Sequence, residues 1–183
     1  MRGFHHLQGA LLPDDCQRLV SLAAAAPLRE GGLVGGVADT RIRRAGLVWV
    51  DDLPDAGWVM DRMIALVAQA NRQAFDFDLT EFAESAQVAR YGAEVQGHFD
   101  WHSDIGAGTF AARRKLTVVV QLTDPDAYEG GALELRPDSA VVAVPRAIGH
   151  ATVFPSFVLH RVTPVTAGVR WSLTLWAHGP AFR

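Results

Sequence analysis

Two hydrophobic patterns divide the chain near residue 85. Before it, apolar residues recur at helical spacing in Pro13–Ala25 and Pro54–Phe75. Pro13 is followed by two aspartates, as is typical of a helix start, and a strand is predicted at Ile42–Val50. After residue 85, short apolar runs alternate with turn residues, which predicts strands at Ala86–Tyr91, Phe99–Asp104, Lys115–Leu122, Ala132–Arg136, Ala140–Val144, Ala151–Phe154, His160–Val165 and Trp171–Ala177.

This order of elements predicts a mainly β protein with flanking helices. Many evenly spaced short strands are typical of a sandwich or jelly roll. A chain of 183 residues suits one domain with its own core. We therefore expect residues 1–183 to form a single domain, in which about 1–85 give helical and strand support and about 86–183 form a jelly-roll core.

Composition and charge narrow the class of partner. The net charge of −3 creates no global field that would recruit nucleic acid or an anionic membrane. No apolar run approaches the roughly 20 residues of a membrane helix, and the N-terminus has no apolar segment of a signal peptide. We expect a soluble, cytoplasmic protein with no nucleic-acid or membrane partner. The sequence leaves its oligomeric state open.

Two further features restrict the chemistry. Cys16 is the only cysteine, so an intrachain disulfide and a cysteine-based zinc site are excluded, and a buried structural thiol is expected. The glycine-rich run Gly31–Gly36 lacks the lysine and serine that end a phosphate-binding loop. It predicts a turn or mobile loop, with a lid or a dimer contact as alternatives.

Two histidines and a carboxylate suggest a metal site in the second half of the chain. His102 and Asp104 are two residues apart, so on one strand their side chains point the same way. His160 would have to reach the same metal from another strand. Two histidines and one carboxylate form the facial triad of non-haem Fe(II) sites, which leaves coordination positions open.

Spacing alone does not fix which histidine binds. His98 and Asp100 repeat the same pattern four residues earlier, about 13 Å away along an extended strand. The two pairs therefore cannot share one ion, and either pair satisfies the geometric argument.

The surrounding motifs resemble the iron- and 2-oxoglutarate-dependent dioxygenases, in the prolyl-4-hydroxylase-like branch that includes the bacterial PKHD-type hydroxylases. In that branch a tyrosine precedes a glycine, an aromatic residue and the His-x-Asp pair, which Tyr91 and the run Gly97–Asp104 match with Phe99 as the aromatic. Aligning on His98 would place Val95 at the aromatic position. The resemblance therefore selects His102 and Asp104, and it continues through Arg114–Pro125, Tyr128–Leu133, Phe154–Val165 and Gly168–Trp176.

This resemblance implies a fold, a reaction and site residues. The fold is a double-stranded β-helix, and the reaction is hydroxylation of an unactivated C–H bond by Fe(II), 2-oxoglutarate and O2, releasing succinate and CO2. Ascorbate is a candidate reductant. The implied metal ligands are His102, Asp104 and His160. The implied cosubstrate residues are Arg170 and Ser172, which can present a guanidinium fork and a hydroxyl to the far carboxylate, together with Tyr91 and Gln121.

The sequence leaves the substrate and two rival functions open. A peptidyl residue, an amino acid or a small metabolite all fit the resemblance, whereas Asp104 argues against a halogenating variant. One rival is a cupin-like isomerase or hydrolase without 2-oxoglutarate, against which the Arg170-x-Ser172 pair argues. The other is a non-catalytic sensor of metal or 2-oxoglutarate. His5, His6, His98, His150 and His178 are expected to be surface or hydrogen-bonded histidines.

Overall fold

The computed structural model describes residues 3–31 and 39–182, so most of the Gly31–Gly36 run lies outside the described residues. Helix α1 spans Pro13–Ala25 and α2 spans Gly57–Ala70, continued by a π-helical turn at Asn71–Phe75. Neither of these described helices is long and apolar enough to cross a membrane. The strands are β1 (His5–Leu7), β2 (Arg29–Glu30), β3 (Arg43–Arg44), β4 (Gly46–Trp49), β5 (Gln87–Gly92), β6 (His98–His102), β7 (Arg114–Gln121), β8 (Tyr128–Gly130), β9 (Leu133–Arg136), β10 (Val142–Ala143), β11 (Ala151–Pro155), β12 (Leu159–Val162) and β13 (Val165–His178).

The strands form two antiparallel sheets. The larger sheet has the order β1-β11-β7-β13-β5-β4-β2, with β8 paired to β13, and the smaller has the order β10-β9-β12-β6-β3. Strands distant in sequence are neighbours in both sheets, which is the topology of a jelly roll closed by Greek-key connections. The predicted fold class, mainly β with a double-stranded β-helix core and N-terminal helices, is confirmed.

The larger sheet separates two hydrophobic cores. In β7, Leu116, Val118 and Val120 pack with α1 and α2, whereas Val119 belongs to the core between the two sheets. The same alternation runs along β13, where Leu173 and Leu175 pack with the helices. The helices therefore close one face of the large sheet, and the other face is available to a site between the sheets.

Two elements between residues 42 and 75 differ from the sequence-based expectations. The strand expected at Ile42–Val50 is divided into β3 and β4, which lie in different sheets. The chain crosses from the smaller sheet to the larger at Ala45, so the predicted single strand contributes one short strand to each sheet. The helix expected to start at Pro54 starts at Gly57, because Asp55 has a left-handed φ of +56°, which a right-handed helix cannot contain.

Cys16 has the environment of a structural thiol. It is fully buried on α1, and its Sγ lies 3.9 Å from the carbonyl oxygen of Gln121. Burial raises the pKa of the Cys16 thiol to about 11, so the group stays protonated and unreactive at physiological pH.

Candidate active site

The structure brings His102, Asp104 and His160 together between the sheets. One ligand atom from each residue lies within 4.8 Å of the others. Nε2 of His102 is 3.6 Å from Asp104 Oδ1, and Nε2 of His160 is 3.5 Å from Asp104 Oδ2. The two histidines are direct partners across β6 and β12. Asp104 follows β6 by two residues, and its N–H donates to the carbonyl of Ser156 at 2.9 Å.

Hydrogen bonds fix the orientation of both imidazole rings. Nδ1 of His102 lies 2.7 Å from the Asp100 carbonyl, and Nδ1 of His160 lies 3.0 Å from the Val158 carbonyl. A carbonyl oxygen can only accept, so each Nδ1 carries the proton and each Nε2 lone pair is available to a metal. Burial lowers the pKa of His160 to about 4 against the opposing effect of Asp104, so this ring is neutral at physiological pH.

The carboxylate of Asp104 is oriented by two side chains of the larger sheet. Thr117 Oγ1 donates to Asp104 Oδ2 at 2.8 Å, and Trp176 Nε1 donates to the same oxygen at 3.0 Å. Burial alone would raise the pKa of Asp104, but the nearby His160 and His102 and the bond from Trp176 hold it well below its usual range. Asp104 is therefore ionised, the form in which a carboxylate binds a metal.

The glycine and the aromatic residue that precede the ligand histidine each have a structural role. A Cβ added to Gly97 would lie 2.7 Å from the Cα of Tyr91, so only glycine lets this turn pack against β5. The ring of Phe99 stacks on the His102 ring, with centroids 3.4 Å apart and planes 12° apart. Phe99 thus restricts rotation of the His102 side chain.

A buried ionic network supports the Asp104 side of the site. Arg114 Nη1 donates to the Asp104 carbonyl at 3.1 Å, and the Arg114 guanidinium carbon lies 4.0 Å from the centroid of the Trp176 ring. Glu84 accepts from Arg114 Nε at 2.7 Å and lies 2.9 Å from Nε2 of His178. Glu84 therefore holds Arg114, which in turn contacts both Asp104 and the tryptophan that orients it.

We expect Glu84→Gln to destabilise the fold at neutral pH and much less in acid. Burial would raise the pKa of Glu84, but the hydrogen bonds from His178 and Arg114 lower it to about 2. A depressed pKa stabilises the fold above the unfolded value of 4.5, and this contribution is lost as pH falls from about 4.5 to about 2. Urea unfolding at pH 7 should show a loss of about 1–2 kcal/mol in the free energy of unfolding, discounted for partial exposure.

A matched control for this prediction is Glu81→Gln. Glu81 forms an ion pair with Arg113 at 2.6 Å, but both side chains are about 40% exposed. Such pairs contribute less than about 1 kcal/mol, so the control should change the free energy of unfolding little at either pH. An equal loss for Glu84→Gln at pH 7 and at pH 3 would contradict the assigned ionisation.

Arg170 lies at the inner end of the same space. It is 1% exposed, its Nε and Nη2 donate to Gln121 Oε1 at 3.2 and 3.0 Å, and its Nη1 lies 3.4 Å from Ser172 Oγ. Burial lowers the pKa of Arg170, while Tyr91 and Tyr128 act in the opposite direction. Within residues 3–31 and 39–182, no carboxylate forms an ion pair with Arg170, so its charge is balanced only by neutral oxygen atoms and aromatic rings.

One cavity of about 280 Å³ is lined both by the three candidate metal ligands and by Arg170. Tyr91 is the cross-strand partner of Arg170, and its ring centroid lies 5.3 Å from the guanidinium carbon. Ser172 is likewise the cross-strand partner of Gln121. The predicted site residues that line the cavity are Tyr91, His102, Asp104, His160, Arg170 and Ser172. The other lining residues are Arg29, Glu30, Arg43, Leu47, Trp49, Gln87, Phe99, Arg114, Val119, Leu133, Val162, Thr174 and Trp176.

The alternative histidine pair is not brought to this cavity. His98 lies at the surface, with Nδ1 2.9 Å from the Gln96 carbonyl and Nε2 3.1 Å from the Arg41 carbonyl. Asp100 is exposed and accepts from the N–H of Trp101. Three of the other histidines form hydrogen bonds elsewhere in the fold: His5 with Gln73, His6 with Thr152 and His178 with Glu84.

Sequence reasoning missed the residues that support the ligands. Thr117 lay in a predicted strand, but no role was predicted for it. Its side chain lies on the same face of β7 as those of Val119 and Gln121. The sequence did contain a signal: Thr117 is polar, lies in a mostly apolar strand, and is four residues before Gln121, so both side chains point to the same face. Glu84 and Arg114 gave no such signal, because their pairing joins residues thirty positions apart.

Comparison with known proteins connects this geometry with an enzyme family. A model of the 2OG-Fe(II) oxygenase superfamily matches residues 86–178. The PKHD-type hydroxylase of Cupriavidus metallidurans is 40% identical over 72 residues, 39% of this chain and 32% of that protein. The PKHD-type hydroxylase of Delftia acidovorans is 27% identical over 171 residues, 92% of this chain and 75% of that protein. In the matches to Cupriavidus and Methylobacterium nodulans, the chain spans about a third of the relatives' length.

Solved structures share the fold over nearly the whole chain. A Trichoplax adhaerens prolyl hydroxylase, solved with a peptide fragment of hypoxia inducible factor, gives a TM-score of 0.79 at 22% identity and covers 96% of this chain and 83% of its own. A Pseudomonas putida prolyl-4-hydroxylase gives a TM-score of 0.75 at 24% identity, and the match covers 97% of this chain and 93% of that one. At these identities the likeness concerns the fold.

Proposed function

Because the chain belongs to the 2OG-Fe(II) oxygenase superfamily, we propose that it is an Fe(II)- and 2-oxoglutarate-dependent hydroxylase of the PKHD-type, prolyl-4-hydroxylase-like branch. The observation that carries the proposal is one cavity containing two kinds of group. It holds two histidines and an aspartate that can bind a metal, together with a buried arginine that has no carboxylate partner among the described residues.

The donor set fits Fe(II). Two neutral imidazole Nε2 atoms and one ionised carboxylate are the facial triad of non-haem iron oxygenases. His102, Asp104 and His160 would hold the ion, and the cavity gives small molecules access to its remaining positions. The hydrogen bonds that both Nδ1 atoms donate to backbone carbonyls, and the one that Asp104 Oδ2 accepts from Thr117, keep the three ligands oriented.

The arginine end of the cavity fits a dicarboxylate. A buried guanidinium without a carboxylate partner is costly unless a ligand supplies one, and a bidentate carboxylate matches its geometry. Arg170 and Ser172 would bind the far carboxylate of 2-oxoglutarate, with Tyr91 beside them. Gln121 holds Nε and Nη2 of Arg170, so we assign it an orienting role, and its direct contact with the cosubstrate stays a prediction.

Bound together, Fe(II) and 2-oxoglutarate supply the oxidation of a substrate C–H bond to C–OH by O2, with succinate and CO2 as coproducts. The protein's residues bind, orient and exclude water. Leu47, Val119 and Leu133 form apolar cavity walls that keep water from the reacting groups. Asp104 stays ionised and His160 stays neutral, so neither of these two ligands has to release a proton when the metal binds.

We expect Trp176→Phe to weaken Fe(II) binding about tenfold, since outer-shell changes at metal sites typically cost 10–100-fold in affinity. Phenylalanine keeps a ring against Arg114 but removes the Nε1 donor to Asp104 Oδ2. Calorimetric titration of the metal-free protein with Fe(II) under argon measures the change. Trp171→Phe is the control, because Trp171 lies on the same strand but packs on the helix side. Equal affinities for both variants would remove the orienting role of Trp176.

Succinate formation tests the proposed reaction against its rivals. The protein would be incubated in air with Fe(II) and 2-oxoglutarate, and succinate measured by nuclear magnetic resonance. We expect iron-dependent succinate that is lost when EDTA removes the metal. Tight 2-oxoglutarate binding without succinate would favour the sensor, and no 2-oxoglutarate binding would favour a cupin-like isomerase or hydrolase.

Several sequence-based expectations stay predictions. These are the single-domain organisation, the cytoplasmic location, the lack of nucleic-acid and membrane partners, and ascorbate as reductant.

A further inference from the structure

A second arginine lies close to the inner end of the metal cavity. Arg146 is half-buried in the segment between β10 and β11. Its guanidinium carbon lies 4.3 Å from the centroid of the Tyr128 ring, and its Nε lies 3.4 Å from the Tyr128 hydroxyl oxygen. Its Nη2 donates to the backbone carbonyls of Tyr128 and Pro125, at 3.0 and 3.3 Å. These contacts hold the Arg146 guanidinium against the Tyr128 side chain.

Tyr128 connects Arg146 with Arg170. Tyr128 is buried on β8 and is the cross-strand partner of Gly168 on β13, two residues before Arg170. A Cβ added to Gly131 would lie 3.1 Å from Cδ of Arg170 and 3.3 Å from Cε2 of Tyr128, so both side chains border the same small space. The buried ring of Tyr128 therefore adjoins both arginines.

The two guanidinium groups influence each other electrostatically. Burial lowers the pKa of Arg170 most, and the charge of Arg146 lowers it further, whereas Tyr91 and Tyr128 act in the opposite direction. A neighbouring like charge disfavours the ionised form of a group, but an arginine still stays charged at neutral pH. The two cations therefore repel each other, and a carboxylate bound at Arg170 would offset this repulsion.

Arg146, like Arg170, has no carboxylate partner in the part of the chain that the structure describes. Its hydrogen bonds go to carbonyl and hydroxyl oxygens, and it forms no ion pair there. Asp124 and Asp126 flank Pro125, but both are exposed, and the Asp124 carboxylate accepts the N–H of Asp126 at 2.9 Å. Water screens such exposed charges. The inner end of the cavity therefore has more positive charge nearby than Arg170 alone provides.

We propose that Arg146 is a second cation of the cosubstrate anchor, and that its charge strengthens binding of the far carboxylate of 2-oxoglutarate. Arg170 would contact this carboxylate, whereas Arg146 would act on it at longer range, past the buried ring of Tyr128. Coulomb attraction persists over such distances where protein rather than water fills the space between the charges. A 2-oxo acid with a charged tail should therefore gain from Arg146, and one with an uncharged tail should not. The inference rests on the proposed function, because it concerns the cosubstrate of that reaction.

Binding of two 2-oxo acids tests this charge directly. 2-Oxopentanoate has the chain length and the keto acid of 2-oxoglutarate but lacks the far carboxylate. Each acid would be titrated under argon into the Fe(II)-loaded protein, and the visible metal-to-ligand charge-transfer band gives its Kd. We expect Arg146→Gln to raise the Kd for 2-oxoglutarate about fivefold at low ionic strength, the scale of one partly screened charge pair, and the Kd for 2-oxopentanoate less than about twofold. An equal change for both acids, or no change for either, would overturn the inference.

Two further variants separate the local charge from packing and from the field of the whole chain. Arg146→Lys keeps the charge but not the guanidinium contacts with Tyr128, so its Kd for 2-oxoglutarate should stay within about twofold of that of the unaltered protein. Arg72→Gln removes the same charge from the exposed turn after α2 and should also leave this Kd within about twofold. If either variant raised the Kd as much as Arg146→Gln, the local charge of Arg146 would not be the cause.

The proposed function and this inference fail in different ways. If the unaltered protein binds Fe(II) but develops no charge-transfer band with 2-oxoglutarate, the proposed function is wrong and the inference falls with it. If the band forms and Arg146→Gln has the Kd of the unaltered protein, only the inference is wrong. Thermal unfolding midpoints show that each variant is folded. Because both acids are compared in the same variant, a general loosening of the site would change both constants and leave their ratio unaltered.

Discussion

Replacing His160 by alanine should weaken Fe(II) binding by more than about 100-fold, beyond the 10–100-fold typical of changes outside the ligand set. The variant loses one of the three side chains that would hold the ion and leaves only His102 and Asp104. Succinate formation from 2-oxoglutarate should fall to the level of the metal-free protein. Anaerobic calorimetry with Fe(II) measures the first effect, and nuclear magnetic resonance measures the second.

The matched control is His98→Ala. His98 belongs to the second His-x-Asp pair, but its ring nitrogens lie 2.9 and 3.1 Å from backbone carbonyls at the surface. This variant should keep Fe(II) affinity and succinate formation within about twofold of the unaltered protein, because a surface substitution of this kind changes stability little. If His98→Ala lost metal binding and His160→Ala kept it, the assigned ligand set would be wrong.

Replacing Arg170 by methionine should raise the Michaelis constant for 2-oxoglutarate about 100-fold, the scale expected when one partner of a buried charge pair is removed. Methionine fills part of the volume but offers no donor to a carboxylate. Gln121 and Ser172 would lose their partner as well. Initial rates of succinate formation across a range of 2-oxoglutarate concentrations measure the change, and Fe(II) affinity should stay near that of the unaltered protein.

Two comparisons make this prediction specific. Arg170→Lys keeps the charge but not the planar guanidinium fork. Its Michaelis constant for 2-oxoglutarate should therefore lie between those of the unaltered protein and of Arg170→Met. Arg161→Met removes an arginine that pairs with Glu134 at 2.7 Å, outside the metal cavity, and should leave the constant unchanged. A normal Michaelis constant in a correctly folded Arg170→Met protein, checked by its thermal unfolding midpoint, would remove the anchor.

Much of the fold could be predicted where one local pattern dominates. Helix α1 spans Pro13–Ala25 as expected, since proline and acidic residues mark its start and one apolar stripe its buried face. Strand β13 runs from Val165 rather than from Trp171 as expected. Thr166, Ala167 and Gly168 favour a turn in the sequence, but they lie inside one continuous strand, whose pairing with β8 shifts register between Val165 and Ala167 and in which Gly168 has a φ of +69°.

The candidate site was less readable because its parts meet through tertiary structure. The ligand residues could be proposed from motifs, yet the pairing of His102 with His160 depends on β6 lying beside β12, which no local pattern predicts. The hydrogen bonds from Thr117 and Trp176 to Asp104 join three separate segments.

The central claim is that one cavity holds both Fe(II) and 2-oxoglutarate, and an anaerobic spectroscopic titration tests it most directly. Fe(II) and then 2-oxoglutarate would be added to the metal-free protein while the visible spectrum is followed for a metal-to-ligand charge-transfer band. We predict a band that saturates at one equivalent of each and is absent from His160→Ala. A correctly folded protein that binds Fe(II) but develops no band with excess 2-oxoglutarate would contradict the account.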